Sequence, residues 1–290
     1  MADSKKTIKL FLMDSEPTGR IKCSVDGTTC IAFKVNREDL DKCKDRKELK
    51  QTGVYFLFGG TTDESVKEVV YIGQANRRKN GEGLLCRLKE HKEDYWNEAV
   101  AITTTDNSFG PTEISYLENH FSNLAKEANR YVVKNGNEPM PGNISEEKQC
   151  ALEEFVQNTN LILSVLNYKV FIPIVETKQG QNNSNCKENM FYLERKIRNI
   201  GITIEAKGQK TRDGFVVLKG SYIAKDDMKN IYPKVKKLRQ AAKIDENRIL
   251  QEDILLTSPT YAAAFVIGGN TNGLVDWKTK DGTPLKNMIE

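Results

Sequence analysis

Histidine is nearly missing from this chain of 290 residues, which holds only His91 and His120. The six cysteines (Cys23, Cys30, Cys43, Cys86, Cys150 and Cys186) are scattered, with no CxxC pair and no zinc-ligand spacing. Scarce histidine and scattered thiols speak against both a zinc site and a disulfide framework. Six reduced thiols suit a cytoplasmic protein. No apolar run approaches the roughly 20 residues that a membrane helix needs. The segment MADSKKTIKLFLMDSEPTG (1–19) has no apolar stretch of signal-peptide length, which again reads as cytoplasmic. GGNTNG (268–273) is glycine-rich but lacks the lysine and spacing of a phosphate-cradling loop, so it reads as a turn. Neither sign of charge dominates: 44 Lys and Arg stand against 40 Asp and Glu, a net of +4.

What is present is an ordinary globular composition, 38% hydrophobic and 29% charged. The length fits about two domains at roughly 150 residues each. The mild net charge conceals a split. Residues 1–50 carry +3, 51–172 carry −5, 187–247 carry +7 and 248–290 carry −1. Between the acidic and basic blocks lies TKQGQNNSNCKEN (177–189), polar and nearly free of apolar residues, which reads as a linker. The expected organisation is an N-terminal β subdomain over 1–50, a central domain over 51–172, a linker over 173–189 and a C-terminal α+β domain over 190–290.

Short strands are expected at 7–12 and 30–35. GVYFLFG (53–59) and KEVVYIG (67–73) read as buried strands joined by the polar tip TTDES (61–65), a hairpin. LLCRLKEHKEDYW (84–96) reads as a helix and AVAITTT (99–105) as a strand. Pro111 opens an amphipathic helix with Ile114, Leu117, Phe121 and Leu124 at 3/4 spacing. Another helix spans about 148–167. Strand-like pieces follow at 190–193, 202–206 and 215–218, then a Lys-rich helix at about 226–248 and a short helix opened by Ser258–Pro259. Strands followed by helices, twice, favour α+β over a doubly wound sheet.

Several polar residues fall on elements expected to be buried. Tyr55 and Tyr71 lie on two apolar strands that should pair. Arg87 and His91, four apart, are expected to project from the same face of one helix. Glu118 sits at the edge of an apolar helical stripe, where a carboxylate needs a cation or a metal as partner. Convergence of these five would assemble the parts of phosphodiester hydrolysis: a base, a cation for the phosphate and a hard oxygen ligand. Taken singly, each also fits a packing or surface role.

In order and spacing, GVY (53–55), YIG (71–73), Arg87, His91 and Glu118 resemble the signature of the GIY-YIG nucleases. The likeness continues through RLKEH (87–91), YLENHF (116–121) and RYVVKNGNEP (130–139), covers about 53–140, and puts Asn135 at the position of the family's late asparagine. It implies a small three-stranded antiparallel sheet flanked by helices, cleaving DNA with one divalent cation, Mg²⁺ or Mn²⁺. By position Glu118 would hold that cation. Tyr71 would activate or orient the attacking water, and a phenol near its ordinary pKa of ~10 needs the cation and Arg87 to favour the phenolate. Arg87 would also stabilise phosphate charge, His91 would bond a tyrosine or relay its proton, Tyr55 would position the nucleophile or phosphate, and Asn135 would support the site from behind. Gln74, Ala75 and Asn76 follow YIG where many members carry Ser or Lys, so Arg77, Arg78 and Lys79 are candidates to hold phosphate instead. GFVVLKGS (214–221) and SPTYAAAFVIGGNTNG (258–273) are similar to a small domain often fused behind such nucleases.

An acidic core is a poor match for a polyanion, and nonspecific DNA affinity is mainly phosphate neutralisation. Lys234, Lys236, Lys237 and Arg239 on the basic helix are therefore the expected DNA contacts, giving a metal-dependent DNA endonuclease with a DNA-binding or targeting C-terminal domain. The alternatives are an inactive nucleic-acid-binding module of a restriction, repair or mobile-element system, and a nuclease acting on RNA. One centre must act twice to cut a duplex, which a homodimer would accomplish.

Overall fold

The computed structural model describes residues 5–60, 67–76, 83–135, 144–175, 189–196 and 203–288. Arg77, Arg78, Lys79, the expected hairpin tip and most of the expected linker lie outside the described residues. The chain divides into two compact units, one running to Ile172 and the other starting at Pro173. Among the described residues, no helix is long and apolar enough to cross a membrane.

The first unit is built on one sheet of seven strands: β1 (Ile8–Leu12), β2 (Ile21–Val25), β3 (Cys30–Asn36), β4 (Gly53–Gly59), β5 (Val69–Ala75), β6 (Glu98–Thr104) and β7 (Val132–Val133). Their order is β1-β2-β3-β6-β4-β5-β7. All pairs are antiparallel except β5 with β7, which is parallel. This corrects the expected fold. The antiparallel trio β5-β4-β6 is no free-standing three-stranded sheet, because β3 pairs with β6 along its whole length, from Cys30↔Thr104 to Asn36↔Glu98. The N-terminal strands are thus part of the same sheet and no separate subdomain. Strand periodicity identifies a buried strand but carries no information about its partner, and β2 and β7 escaped it altogether.

Helices cover both faces, so residues alternate between two cores rather than between core and water. Val54, Phe56, Ile72, Val100 and Ile102 pack against α2 (Pro111–Ala128) and α3 (Glu146–Val165). Tyr55, Leu57, Ala99 and Ala101 pack on the opposite side with α1 (Leu84–Glu90), and a 3₁₀ segment, Arg37–Cys43, adds Leu40 and Cys43 there. α2 starts as expected at Pro111, with Glu113 Oε2 accepting from the Gly110 N–H at 3.0 Å, and stops at Asn129 in the left-handed region (φ 51°). α1 is shorter than the sequence pattern suggests. It ends at Glu90, and His91 is already extended (φ −72°, ψ 103°).

The second unit holds a four-stranded antiparallel sheet, ordered β11 (Ile254–Leu256), β10 (Gly214–Val217), β9 (Thr203–Thr211), β8 (Met190–Lys196). One face packs on α4 (Pro233–Ala241) and on α5 (Pro259–Ile267), which is buried from Ala262 to Ile267. Ser258 caps α5 by accepting from the Tyr261 N–H at 3.2 Å. A short α6 (Gly273–Asp276) leads to Trp277, fully buried, whose Nε1 donates to the Pro259 carbonyl at 3.0 Å. The expected Lys-rich helix over 226–248 is only α4, because Pro233 fixes its start and the backbone turns extended at Ala242 (ψ 142°).

Candidate active site

Register brings the two tyrosines together. Tyr55 stands opposite Gly73 and Tyr71 opposite Leu57, so both phenols lie diagonally on the α1 face of the sheet. The Tyr55 ring lies across Gly73, where any Cβ would collide with the phenol carbon and hydroxyl. The glycine of YIG is therefore a requirement of close approach. Gly53 is equally confined, since a Cβ there would run into the Ile102 carbonyl oxygen and come within 2.8 Å of Leu84 Cδ1.

His91 leaves α1 and meets these rings. Its Nε2 lies 2.7 Å from the Tyr55 hydroxyl, and its Nδ1 lies 3.2 Å from Glu93 Oε2. A carboxylate can only accept, so Nδ1 carries the proton, Nε2 is bare, and Tyr55 donates to it. The ring centroids close a triangle: Tyr55–Tyr71 at 6.2 Å, Tyr55–His91 at 5.4 Å and Tyr71–His91 at 5.0 Å. Burial, followed by Tyr71, pushes the Tyr55 phenol well above the ordinary range, with Arg87 opposing, so Tyr55 keeps its proton and serves as a donor. Burial lowers the His91 pKa below 6.5, against the pull of Glu93, so its neutral form persists at neutral pH.

Arg87 projects from α1 and donates Nη1 to Glu90 Oε2 at 3.1 Å, with its side chain 41% exposed. Glu118 comes from α2, which packs on the other face of the sheet. Its carboxylate meets the end of β5, where Gln74 points toward α2 and donates Nε2 to Glu118 Oε2 at 2.9 Å. The Gln74 amide is also bonded to the Ser115 hydroxyl. Burial raises the Glu118 pKa, and the Gln74 bond and Arg87 offset only part of that. A cavity of about 190 Å³ lies at this rim, lined by Gln74, Ala75, Asn76, Gly83 and Arg87. Among the described residues, no group of three or more His, Cys, Asp and Glu gathers around a common metal position. Glu118 is a half-buried carboxylate bonded to Gln74, which lines that cavity, and such a donor suits a hard cation whose remaining ligands would be water and substrate oxygens.

Asn135 works as a continuation of β7. Its Oδ1 accepts from the Ile72 N–H at 3.1 Å and its Nδ2 donates to the Ile72 carbonyl at 2.7 Å. Nδ2 also lies 3.4 Å from Ser122 Oγ on α2. The side chain therefore holds β5 next to Tyr71 without touching the rings.

In the second unit Lys234, Lys236 and Lys237 are exposed on α4. Arg239 is not part of that surface. Only 7% exposed, it pairs with Asp227 at 2.7 Å and donates to the carbonyls of Ala224 at 2.6 Å and Phe265. Its charge is spent on joining α4 to α5, which corrects its expected role as a DNA contact. Sequence reasoning also missed Glu93 and the partnership of Gln74 with Glu118. The only signal for Glu93 was its place two residues beyond His91. Gln74 stood out as a departure from the signature, with no hint of its partner.

Comparison with known families matches residues 197–289 to a domain of unknown function, DUF4357. The match lies within the second unit, begins after β8, and spans well under half of the chain. No curated protein matches the chain, and no solved structure does.

Proposed function

We propose that the first unit is a metal-dependent phosphodiester hydrolase of the GIY-YIG kind, acting on DNA in the cytoplasm. The observation that carries this reading is the chain Tyr55–His91–Glu93, stacked against Tyr71 within reach of the Arg87 guanidinium. Tyr55 and His91 are buried and Glu93 closes the chain at its exposed end; a buried polar pair is costly unless bonded, and such pairs concentrate at working sites. Glu118 is the residue that would hold Mg²⁺ or Mn²⁺. When bound, that cation supplies Lewis-acid polarisation of the phosphate and lowers the pKa of its water.

The chain's own groups do the rest. Tyr71, the less buried phenol, orients the attacking water or accepts its proton. Tyr55 holds its own proton on His91 Nε2 and fixes the orientation of that ring, while Glu93 fixes its tautomer. Arg87 exchanges Glu90 for a phosphate oxygen and stabilises charge as the P–O bond breaks. The second unit contributes Lys234, Lys236 and Lys237 as phosphate contacts.

The test is cleavage of supercoiled plasmid and branched DNA, with and without Mg²⁺ or Mn²⁺, by wild type and Arg87→Ala. Wild type is expected to cut only with metal, and Arg87→Ala to lose about 10²- to 10³-fold with its fold intact. No cleavage by wild type across metals and DNA forms would overturn the proposal.

A further inference from the structure

We infer that Arg37 is the positioning residue for His91: its guanidinium holds the irregular segment 91–97 so that the imidazole stays on the Tyr55 hydroxyl. The catalytic part of this inference rests on the hydrolase reading above; the geometric part does not. Arg37 opens the 3₁₀ segment after β3, in a part of the chain to which the nuclease signature assigns no role. Its Nη1 donates to the carbonyls of Glu93 at 2.5 Å and Trp96 at 3.3 Å. Its Nη2 donates to the carbonyls of His91 at 3.4 Å and Lys92 at 3.2 Å. The guanidinium plane lies over the Trp96 ring, 4.6 Å from its centroid, and Trp96 is buried. The Arg37 N–H adds a bond to the Asn97 carbonyl at 2.8 Å.

A segment that is neither helix nor strand must find partners for its carbonyls. Here one planar fork serves four of them, which a lysine cannot reproduce. The segment begins at His91 and includes Glu93, the two ends of the proton chain beyond Tyr55. Slippage of the segment would therefore move both the ring and the carboxylate that sets its tautomer. The groups facing the imidazole are Tyr55 and Tyr71 from the sheet, Arg87 and Glu90 from α1 and Glu93 from the segment itself. The hydrogen bonds of the Arg37 guanidinium go to backbone carbonyls, and its ring contact is with Trp96.

The experiment compares full-length wild type, Arg37→Lys and Arg37→Gln. The first readout is NMR titration of the imidazoles, of which there are only two, so that His120 on α2 is the internal control. Both variants are expected to move His91 toward the ordinary value of about 6.5 and to blur its single tautomer, with His120 unchanged. Arg37→Lys keeps a cation over Trp96 and serves if Arg37→Gln does not fold. The second readout is DNA cleavage. Turnover is expected to fall at least about tenfold with KM unchanged, and less than twofold when Arg37→Lys is made in a His91→Ala background. An unchanged His91 titration in the variants overturns the inference, and so does an equal shift of His120, which would mean general loosening. If wild type cleaves nothing, the hydrolase reading fails and the His91 titration alone decides the role of Arg37.

Discussion

Replacing Tyr55 by Phe deletes one oxygen and keeps the ring, so no cavity opens in the core that surrounds it. Tyr55 is fully buried and His91 is 7% exposed, so water cannot replace the lost donor at Nε2. The cost is then that of one buried, unsatisfied acceptor, about 1–3 kcal/mol at neutral pH. His91→Phe strands the Tyr55 hydroxyl in the same way and should cost a similar amount. Removing both partners removes both orphans, so the double variant should be far more stable than the sum of the singles implies. Urea unfolding of the four proteins at pH 7.5 measures this, with a coupling of about 1–3 kcal/mol expected between the two sites. Additive costs, with coupling below about 0.5 kcal/mol, would refute the Tyr55–His91 bond as a stabilising contact.

Other perturbations probe the surrounding parts. Asn135→Ala leaves both backbone groups of Ile72 without their side-chain partner and should cost about 1–3 kcal/mol in the same unfolding assay. Arg239→Leu leaves Asp227 without its cation and takes a donor from the Phe265 carbonyl, while Arg248 still donates to the Ala224 carbonyl at 2.8 Å, so the second unit should lose about 1–3 kcal/mol by urea unfolding. Because the folded His91 pKa lies below its unfolded value of 6.5, the unfolded chain binds more protons as the pH falls. Stability is therefore whole above pH 6.5 and declines as the pH drops through 6.5 toward the folded value. His91→Phe should remove part of that acid loss and leave the part due to His120, whose pKa burial also lowers. Replacing Lys234, Lys236 and Lys237 by Gln should weaken DNA binding and flatten its log–log salt slope by about 2 to 3, read by titration at several salt concentrations.

Some of this was legible in the sequence and some could not be. GVYFLFG is a strand over its whole length because every residue from Gly53 to Gly59 is buried, and an unbroken apolar run closed by glycines encodes that directly. Pro111 and Ser258 mark helix starts through local chemistry, and both were readable. The pairing of β3 with β6 was not, because strand partners are chosen by three-dimensional packing between segments some 70 residues apart. Nor was the two-residue β7, whose role Asn135 extends with a side chain. The helix over 84–96 was misjudged in a way that matters for the site. Leu84, Leu85 and Leu88 continue into a stretch with no glycine or proline to stop it. The helix ends at Glu90, and the carbonyls from His91 onward bond to Arg37, some 50 residues earlier. Arg87 and His91 therefore meet the tyrosines by different routes, one from the helix and one from the segment beyond it. Arg239 shows the converse: a basic helix reads as one cationic face, yet its arginine is buried and bonded inward.

The most direct measurement of the central claim is metal-dependent nicking of plasmid DNA by Glu118→Gln beside wild type. Glutamine can still accept from Gln74 and removes a carboxylate that burial disfavours, so the variant should fold and be at least as stable at neutral pH. The account predicts nicking by wild type in Mg²⁺ or Mn²⁺ and a loss of at least about a hundredfold in the variant. Equal cleavage by the two proteins, or none by wild type, would contradict it.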